Sequence, residues 1–257
     1  MEAAMDKAVN HGVKGNDRSS MQSATVAFAS RARYELAMRY SAFVFDAYGT
    51  LFDVHAAVRR HAADIGPDGQ ALSEIWRAKQ LEYSWIYTLM GSYTDFWALT
   101  EDALDFAFKK VPSANPELRQ KLLDAYFHLD CYPEVPAVLK SLKAEGARLA
   151  ILSNGSPKML EAAVKSAALD GIFDEIFSVD AIRKFKTDQD VYDLVTTAWR
   201  LYPDAVSFQS SNRWDIAGAQ KFGFRTVWIN RAGNPDEYAD FAPDLILPSL
   251  NSLVTAM

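Results

Sequence analysis

Five short, nearly continuous apolar runs constrain the fold of this chain more than any other feature. They are AFVFD, RLAILS, AVSFQS, RTVWI and DLIL, at residues 42–46, 148–153, 205–210, 225–229 and 244–247. Apolar runs that do not alternate with polar residues are typical of parallel strands covered on both faces. Helical patterns that end in glycine lie among them at 134–146, 156–171 and 215–223. This alternation predicts an α/β fold with an open, doubly wound parallel sheet.

The pattern changes between Asp53 and about Asp130, where amphipathic helices follow one another without a strand. Ser73 is a predicted N-cap of the first of these helices, and Thr94 is predicted to begin the second. A helical insertion directly after the first strand predicts a cap subdomain. The predicted division is a core of residues 40–54 and 131–257, and a helical cap of residues 55–130. Residues 1–39 are predicted to be an extension outside the fold, disordered or left over from cloning.

Size, charge and cysteine content exclude several classes of function. The chain has 257 residues, of which 49% are hydrophobic, enough for a sizeable core. Its net charge of −6 argues against a nucleic-acid binder, and no run approaches the roughly 18 apolar residues that span a membrane. A single cysteine, Cys131, excludes an internal disulfide and fits a reducing compartment. We therefore expect a cytoplasmic protein that binds neither nucleic acid nor membrane.

Polar side chains cluster where three of the predicted strands end and in one loop. They are Asp46 and Thr50, then Ser153 and Asn154, then Ser210, Asn212 and Asp215, with Lys186 and Tyr192 in the loop segment. Ligands of open α/β sheets bind outside the carboxyl ends of the strands. Each group alone has an ordinary structural interpretation as a turn residue, a helix cap or a solvated surface lysine. The four clusters together, in this order, predict one converging pocket.

Four motifs resemble those of a known superfamily. DAYGTLFDVH, LSNGSP, a lysine six residues before the tyrosine of VY, and SSNRWDIAGA followed by FGF lie in this order. With WRAKQLEYSW in the helical insertion, they resemble the haloacid dehalogenase superfamily, and within it the type II L-2-haloacid dehalogenases. The resemblance covers about residues 41 to 250. It implies a Rossmann-like core with a helical cap, and hydrolysis of short L-2-haloalkanoic acids to D-2-hydroxy acids with inversion.

Two positions separate this chain from the phosphatases of that superfamily. Those enzymes resemble one another in having an aspartate two residues after the nucleophile as general acid, and carboxylates on a later loop for magnesium. Here Tyr48 and Asn212 stand at such positions, and magnesium prefers anionic oxygen ligands. The expectation is an enzyme without metal or other cofactor. A magnesium-dependent phosphatase and a catalytically impaired binding protein of the same fold are the alternatives.

The resemblance implies a role for each matched polar residue in the first chemical step. Asp46 would be the nucleophile that forms an ester intermediate. Lys186 would keep the Asp46 carboxylate ionised, because a nearby cation favours the charged form, and Thr50 would donate a hydrogen bond to it. Arg77 on the cap would bind the departing halide through its planar donor fork, and Asn212 would assist there.

Other matched positions are expected to line the substrate pocket. Ser153 and Asn154 would bind the substrate carboxylate, and Leu81, Phe96, Trp214 and Tyr48 would surround its side chain. The residues alone favour ordinary core packing for Leu81, Phe96 and Trp214. The resemblance reverses that preference for Phe96 and Trp214.

The second chemical step is hydrolysis of the ester by water. Asp215 is the best candidate to orient or activate that water, and Ser210 and Asn212 would complete the hydrogen-bond network. Tyr192 would position Lys186 or the water. Two residues depart from the family pattern: Thr187 follows the lysine where proline is frequent, and Ala78 follows Arg77 where glutamine is frequent. Thr187 predicts a looser loop around Lys186.

The expected partners are a 2-haloacid substrate and the halide product. The aromatic residues of the first cap helix, Trp76, Tyr83, Trp85 and Tyr87, are predicted to form a homodimer face or to pack on the core.

Overall fold

The computed structural model describes residues 42–256, so the predicted extension over residues 1–39 lies outside the described residues. Six parallel strands form one sheet in the order β3-β2-β1-β4-β5-β6. The strands are β1 (Ala42–Phe45), β2 (Leu149–Ser153), β3 (Glu175–Ser178), β4 (Val206–Ser210), β5 (Arg225–Ile229) and β6 (Leu245–Leu247). The order reverses between β1 and β4, so this edge of the sheet holds the switch point at which open α/β folds bind ligands.

The helices follow the predicted alternation, with a helical insertion between β1 and β2. The insertion contains α1 (Ala56–Arg60), α2 (Ala62–Ile65), α3 (Gly69–Leu89), α4 (Phe96–Lys110) and α5 (Arg119–Phe127). The rest are α6 (Val135–Ala144), α7 (Pro157–Ser166), α8 (Gln189–Trp199), α9 (Arg213–Phe222) and α10 (Asn251–Ala256). Short 3-10 turns lie at Pro116–Leu118, Val179–Ala181, Pro203–Ala205 and Ala239–Phe241. The doubly wound α/β fold is thereby confirmed.

All five predicted strands are present, and the sequence analysis missed β3. Its residues are exposed or half-buried, because it lies at the edge of the sheet and pairs only with β2. Its sequence, EIFS, has only two apolar residues between Glu175 and Ser178, whereas the other edge strand, β6, consists of the apolar run LIL. The central strand β1 is buried at every residue. Each fully buried large apolar side chain there contributes about 1.5–3 kcal/mol to stability.

Three predicted helix boundaries are wrong. α3 begins at Gly69, not at Ser73, and buries Gly69 and Leu72 in its first turn. Ser73 instead lies inside the helix, where its hydroxyl is 2.7 Å from Nδ1 of His55. α4 is capped by Asp95 rather than by Thr94, because the Asp95 carboxylate accepts hydrogen bonds from two backbone amides of the first turn. α7 ends at Ser166, five residues before Gly171, and Ala168 there has a positive φ.

The insertion joins the core through two paired segments. The backbone amide of Asp53 donates to the carbonyl of Asp130 at 3.0 Å, and that of Tyr132 to Leu51 at 2.9 Å. Within the insertion, α3 and α4 pack along one another. Trp76 is buried on α3 and donates from its indole to the carbonyl of Thr100 at 2.8 Å. Trp76 therefore packs in the interior of the protein, which is the second of its two predicted alternatives. In residues 42–256 we find no helix with the length and hydropathy to cross a bilayer.

Candidate active site

Asp46 stands directly after β1, at the switch point of the sheet. Its backbone amide donates to the carbonyl of Gln209 on β4 at 2.9 Å, which continues the strand pairing up to this residue. Gly49 then adopts a φ of +93°, a conformation that glycine reaches without a steric cost. The chain turns here and leaves for the insertion, while the Asp46 side chain remains at the sheet edge with 7% exposure.

The two carboxylate oxygens of Asp46 have different partners. Oδ1 pairs with the ammonium of Lys186 at 3.0 Å. Oδ2 accepts from the hydroxyl of Thr50 at 2.9 Å and from the amide nitrogen of Asn212 at 2.8 Å. The hydroxyl of Ser210 donates over a longer 3.4 Å. Charge-assisted hydrogen bonds on both oxygens fix the orientation of the carboxylate.

Lys186 joins two carboxylates in the interior. Its Nζ lies 2.8 Å from Oδ2 of Asp215, and the Lys186 and Asp215 side chains are 1% and 0% exposed. Burial by itself lowers the pKa of Lys186, but the charges of Asp215 and Asp46 outweigh burial and raise it. Burial raises the pKa of Asp215 to about 6; Lys186 opposes that rise and Asp46 adds to it. Lys186 therefore remains a cation between the two carboxyl groups.

Tyr192 contacts Asp215 rather than Lys186. Its hydroxyl donates to Oδ1 of Asp215 at 2.9 Å, while Oδ2 of that carboxylate accepts from Lys186. Burial, followed by the charge of Asp215, holds the pKa of Tyr192 well above its ordinary value. The phenol therefore keeps its proton and acts as a donor. Tyr192 reaches Lys186 only through the Asp215 carboxylate, which both groups bind.

Arg77 reaches from α3 to the core. Its Nη2 donates to the carbonyl of Tyr48 at 3.2 Å and, at the limit of a hydrogen bond, to Oδ1 of Asn212 at 3.5 Å. Its Nη1 is buried and has no hydrogen-bond partner among the described residues. A buried cationic donor of this kind, beside the Asp46 loop, is a ready site for an anion.

The loop that carries Lys186 is anchored on both sides. The backbone amide of Phe185 donates to Oγ1 of Thr88 on α3 at 3.1 Å. The backbone amide of Lys186 donates to Oδ1 of Asn154 at 3.0 Å. These bonds argue against the looser loop that Thr187 predicts. They also occupy the Asn154 carbonyl oxygen, which leaves its amide nitrogen as the group that can donate to an anion.

Ser153 and Asn154 form a turn before α7 rather than the start of that helix. The Ser153 hydroxyl accepts from the backbone amide of Gly155 at 3.1 Å. Ser156 takes the N-cap position and Pro157 the first helical position. This start agrees with the helical pattern predicted from residue 156. A side chain at Gly155 would lie 2.7 Å from a ring carbon of Tyr48, so glycine is required for this close approach.

Aromatic rings form one wall beside Asp46. Tyr48 stacks on Tyr126 at a ring distance of 5.7 Å, and Phe96 lies 6.2 Å from Tyr48. Trp76 packs on Tyr126 at 5.0 Å. Burial, with smaller contributions from Tyr126 and Asp46, raises the pKa of Tyr48 well above its ordinary value. Tyr48 therefore keeps its proton, and it cannot replace the carboxylic acid that the phosphatases carry at this position.

Leu81 and Trp214 lie farther out. Leu81 is half-buried on α3, one turn beyond Arg77 and on the same face. Trp214 packs its ring against the edge of Trp85 from α3 at 5.5 Å. It lines a cavity of about 560 Å³ between the insertion and the core, which Lys186 and Thr88 also line. Trp214 thus belongs to the boundary of the two parts rather than to the Tyr48 wall.

Several residues of this neighbourhood were missed by the sequence analysis. Tyr126 donates to the side chain of Gln80 at 3.3 Å beneath Arg77, and the backbone amide of Ser211 donates to Oγ1 of Thr50 at 2.7 Å. Arg231 donates to the Thr50 carbonyl at 3.0 Å. Tyr126 lies in an amphipathic helix whose pattern does not distinguish it from core residues. In residues 42–256, no group of three or more histidine, cysteine or acidic side chains is arranged to hold a metal ion.

Comparisons with known proteins agree with this geometry. The family model of haloacid dehalogenase-like hydrolases matches residues 40–223. (S)-2-haloacid dehalogenase 4A of Burkholderia cepacia is 48% identical over 203 residues, which cover 79% of this chain and 87% of that protein. (S)-2-haloacid dehalogenase 1 of Pseudomonas sp. strain CBS-3 is 50% identical over 203 residues, which cover 79% of this chain and 89% of that protein.

Two solved structures share the fold along nearly their whole length. A crystal structure of a dehalogenase matches with a TM-score of 0.83 and 44% identity, over 85% of this chain and 97% of that one. The L-2-haloacid dehalogenase of Xanthobacter autotrophicus, with chloropropionic acid covalently bound, matches with a TM-score of 0.77 and 35% identity, over 84% and 97%. The sheet order, the Asp46 cluster and these relatives together show that this chain belongs to the haloacid dehalogenase superfamily, among the L-2-haloacid dehalogenases.

Proposed function

We propose that this protein hydrolyses short L-2-haloalkanoic acids to D-2-hydroxy acids through an ester on Asp46. The observation that carries the proposal is the Asp46 carboxylate, oriented by hydrogen bonds on both oxygens and placed next to the buried donor of Arg77. A fixed anion and a fixed cationic donor are what displacement at a carbon–halogen bond needs. The relatives named (S)-2-haloacid dehalogenase support the same reaction.

In the first step, one carboxylate oxygen of Asp46 attacks C2 of the substrate on the face opposite the halogen. The carbon–oxygen bond forms as the carbon–halogen bond breaks, and the halide leaves with the bonding electron pair. The Nη1 donor of Arg77 binds the halide as its charge develops. The Asn154 amide and the Ser153 hydroxyl bind the substrate carboxylate. Backside attack inverts the configuration, so an L-haloacid gives a D-hydroxy product.

In the second step, water attacks the carboxyl carbon of the Asp46 ester. Asp215 accepts a proton from this water, because its pKa of about 6 leaves it ionised at neutral pH. Lys186 remains beside the ester and stabilises the negative charge that develops on its oxygen. The bond between the carboxyl carbon and the product oxygen then breaks as Asp215 returns its proton to that oxygen, which releases the hydroxy acid. The Asp46 carboxyl group loses its own proton to solvent, which regenerates the carboxylate. The first product oxygen therefore comes from Asp46, and its replacement comes from water.

The substrate wall is proposed from the same geometry. Phe96 and Tyr48 contact each other within the aromatic cluster beside Asp46, and we assign them to the substrate side chain. Leu81 and Trp214 are assigned to the outer part of the pocket, where the insertion meets the core. Residues 55–130 act in this proposal as the cap that excludes stray water until the ester has formed. The magnesium-dependent phosphatase is disfavoured, because Tyr48 stands where that enzyme would need an aspartate as general acid.

The proposal is tested by halide release from L-2-chloropropionate in the presence of EDTA. We expect sustained release of chloride from the L-enantiomer and little from D-2-chloropropionate, the matched control substrate. A single turnover in heavy-oxygen water should give a product without label, because the first oxygen comes from Asp46. Absence of release, together with magnesium-dependent release of phosphate from an aryl phosphate, would make the phosphatase the correct function.

We further propose that the protein forms a homodimer and is located in the cytoplasm. Trp85, Ile86, Leu89 and Met90 are exposed near the end of α3, and a homodimer would remove this apolar surface from water. Light scattering of the purified protein tests this, and a monomeric mass at micromolar concentration contradicts it. A cytoplasmic location rests on the single cysteine of the sequence. Cell fractionation would contradict that location if the protein were found outside the cytoplasm.

A further inference from the structure

An arginine outside the substrate site contacts the loop that carries the nucleophile. Arg231 follows β5, and its Nη2 donates to the carbonyl oxygen of Thr50 at 3.0 Å. The same nitrogen pairs with Oε1 of Glu134 at 2.8 Å, and the Arg231 and Glu134 side chains are 19% and 12% exposed. The guanidinium also lies over the ring of Tyr132, 4.1 Å from its centre. One mostly buried cation thus connects three separate segments of the chain.

These contacts meet where the chain leaves the core for the insertion and where it returns. Phe52 and Cys131 form an antiparallel bridge, and the backbone amide of Tyr132 donates to Leu51 at 2.9 Å. Thr50 lies on the outgoing segment, and Tyr132 belongs to the returning one. Arg231, which follows β5, therefore contacts both the segment that leaves the core and the segment that returns to it.

Thr50 links this contact to the nucleophile. Its hydroxyl donates to Oδ2 of Asp46 at 2.9 Å and accepts from the backbone amide of Ser211 at 2.7 Å. The direction of that hydroxyl depends on the position of the Thr50 backbone. A hydrogen bond from a charged donor to the Thr50 carbonyl is stronger than one from a neutral donor. Arg231 is therefore placed to determine how Thr50 meets Asp46.

The cost of burying Arg231 argues for a role beyond packing. Its Nε and Nη1 atoms are buried and have no hydrogen-bond partner among the described residues. Buried donors that lack partners reduce stability, and native proteins tolerate such violations chiefly at functional sites. Arg231 touches neither the Asp46 carboxylate nor Lys186, so its influence on the reaction must pass through Thr50.

We propose that Arg231 is a positioning residue that holds the Thr50 carbonyl and so keeps the Thr50 hydroxyl aligned with Asp46 for attack on carbon. This rests on the proposed dehalogenation. Small displacements of a nucleophile from its reactive alignment reduce the rate strongly. The effect therefore belongs to ester formation and appears in kcat. KM should change little, because Arg231 lies outside the substrate pocket.

The test compares Arg231→Lys with Arg225→Lys. Lysine at 231 keeps the charge, but its ammonium ends a flexible stem, whereas the planar guanidinium is held over the Tyr132 ring with Nη2 directed at both Glu134 and the Thr50 carbonyl. Arg225 lies at the other end of β5 and pairs with Asp244 at 3.5 Å with 47% exposure, so it controls for an arginine lost from this strand. Chloride release from L-2-chloropropionate gives kcat and KM, single turnovers give the rate of ester formation, and thermal melting reports folding.

We expect Arg231→Lys to lower kcat and the rate of ester formation by about 10- to 100-fold. Its KM should stay within about threefold of the wild-type value, since substrate contacts are unchanged. Arg225→Lys should match the wild type in both constants. A kcat for Arg231→Lys within twofold of the wild type, or a loss confined to KM, overturns the proposal. An equal loss of kcat in Arg225→Lys also overturns it.

A crystal structure of Arg231→Lys and a second variant, Glu134→Gln, complete the test. A crystal structure of Arg231→Lys should show the Thr50 hydroxyl displaced from Oδ2 of Asp46; an unmoved Thr50 contradicts the inference even if turnover is absent. Should Arg231→Lys not fold, Glu134→Gln removes the ion pair and keeps the guanidinium. We expect a loss in kcat of about 3- to 10-fold for Glu134→Gln, and unchanged kcat overturns the role. Wild-type protein that releases no halide would instead reject the dehalogenase function.

Discussion

Replacing Asp46 with asparagine is expected to reduce halide release by about 10⁴-fold or more, the loss typical of an absent catalytic nucleophile. The amide has nearly the same shape as the carboxylate, but it has no anionic oxygen to attack carbon. Its nitrogen would face either Lys186 or the pair of donors Thr50 and Asn212, so at least one hydrogen bond becomes a donor–donor contact. Measurement of chloride release from L-2-chloropropionate gives the size of the loss.

Asp53→Asn is the matched control for this substitution. Asp53 lies seven residues further along, and its carboxylate pairs with Arg59 and accepts from the backbone amide of His55 at 3.0 Å. The same loss of charge at Asp53 should leave kcat within about threefold of the wild-type value, because a partly exposed ion pair contributes little to stability. Turnover by Asp46→Asn at more than a tenth of the wild-type rate would remove Asp46 from its role as nucleophile.

Replacing Lys186 with methionine is expected to remove both activity and stability. Asp46 and Asp215 would then stand in a buried site without the cation that now contacts each of them. Removing one partner of a buried ion pair typically costs about 3–5 kcal/mol. We expect chloride release to fall by about 10³-fold or more. Denaturant unfolding of the same samples measures the loss of stability. Lys184→Met is the control, because Lys184 pairs with Asp188 and Asp190 at 43% exposure.

The loss of stability in Lys186→Met should depend on pH. Without the lysine, the folded-state pKa of Asp215 should rise further above its unfolded value, because burial and Asp46 already raise it to about 6. A raised carboxyl pKa favours the folded state below the unfolded pKa, and this advantage is lost as pH rises through the folded pKa. The deficit in unfolding free energy relative to wild type should therefore be small near pH 4 and large near pH 8.

A double variant separates the charge effect from packing. Lys186→Met with Asp215→Asn removes one cation and one anion together, so it should regain part of the lost stability at pH 8. It should not regain chloride release, because the cation beside Asp46 and the water-activating carboxylate are both absent. A Lys186→Met protein with unaltered stability at pH 8 would contradict the ionised cluster.

The sequence predicted the central part of the fold because central strands are buried on both faces. β1, β2 and β4 therefore appear as apolar runs, and the polar residues that follow them could be assigned to one edge of the sheet. The edge strand β3 has exposed positions and gave no such run. Helix ends were predicted less well. Thr94 and Asp95 are neighbours of types that can both cap a helix, and the structure shows that Asp95 caps α4.

What the sequence determined by itself is the chemistry available at the sheet edge. An aspartate directly after a buried strand, a tyrosine two residues later, and the order of the lysine, asparagine and second aspartate are properties of the chain alone. The tertiary structure decided how these groups are paired. Lys186 lies between two carboxylates that are distant in sequence, Tyr192 binds Asp215, and Arg231 reaches Thr50 from the turn after β5. Such contacts follow from strand order and packing, because periodicity reports which face is buried and not which side chains meet across it.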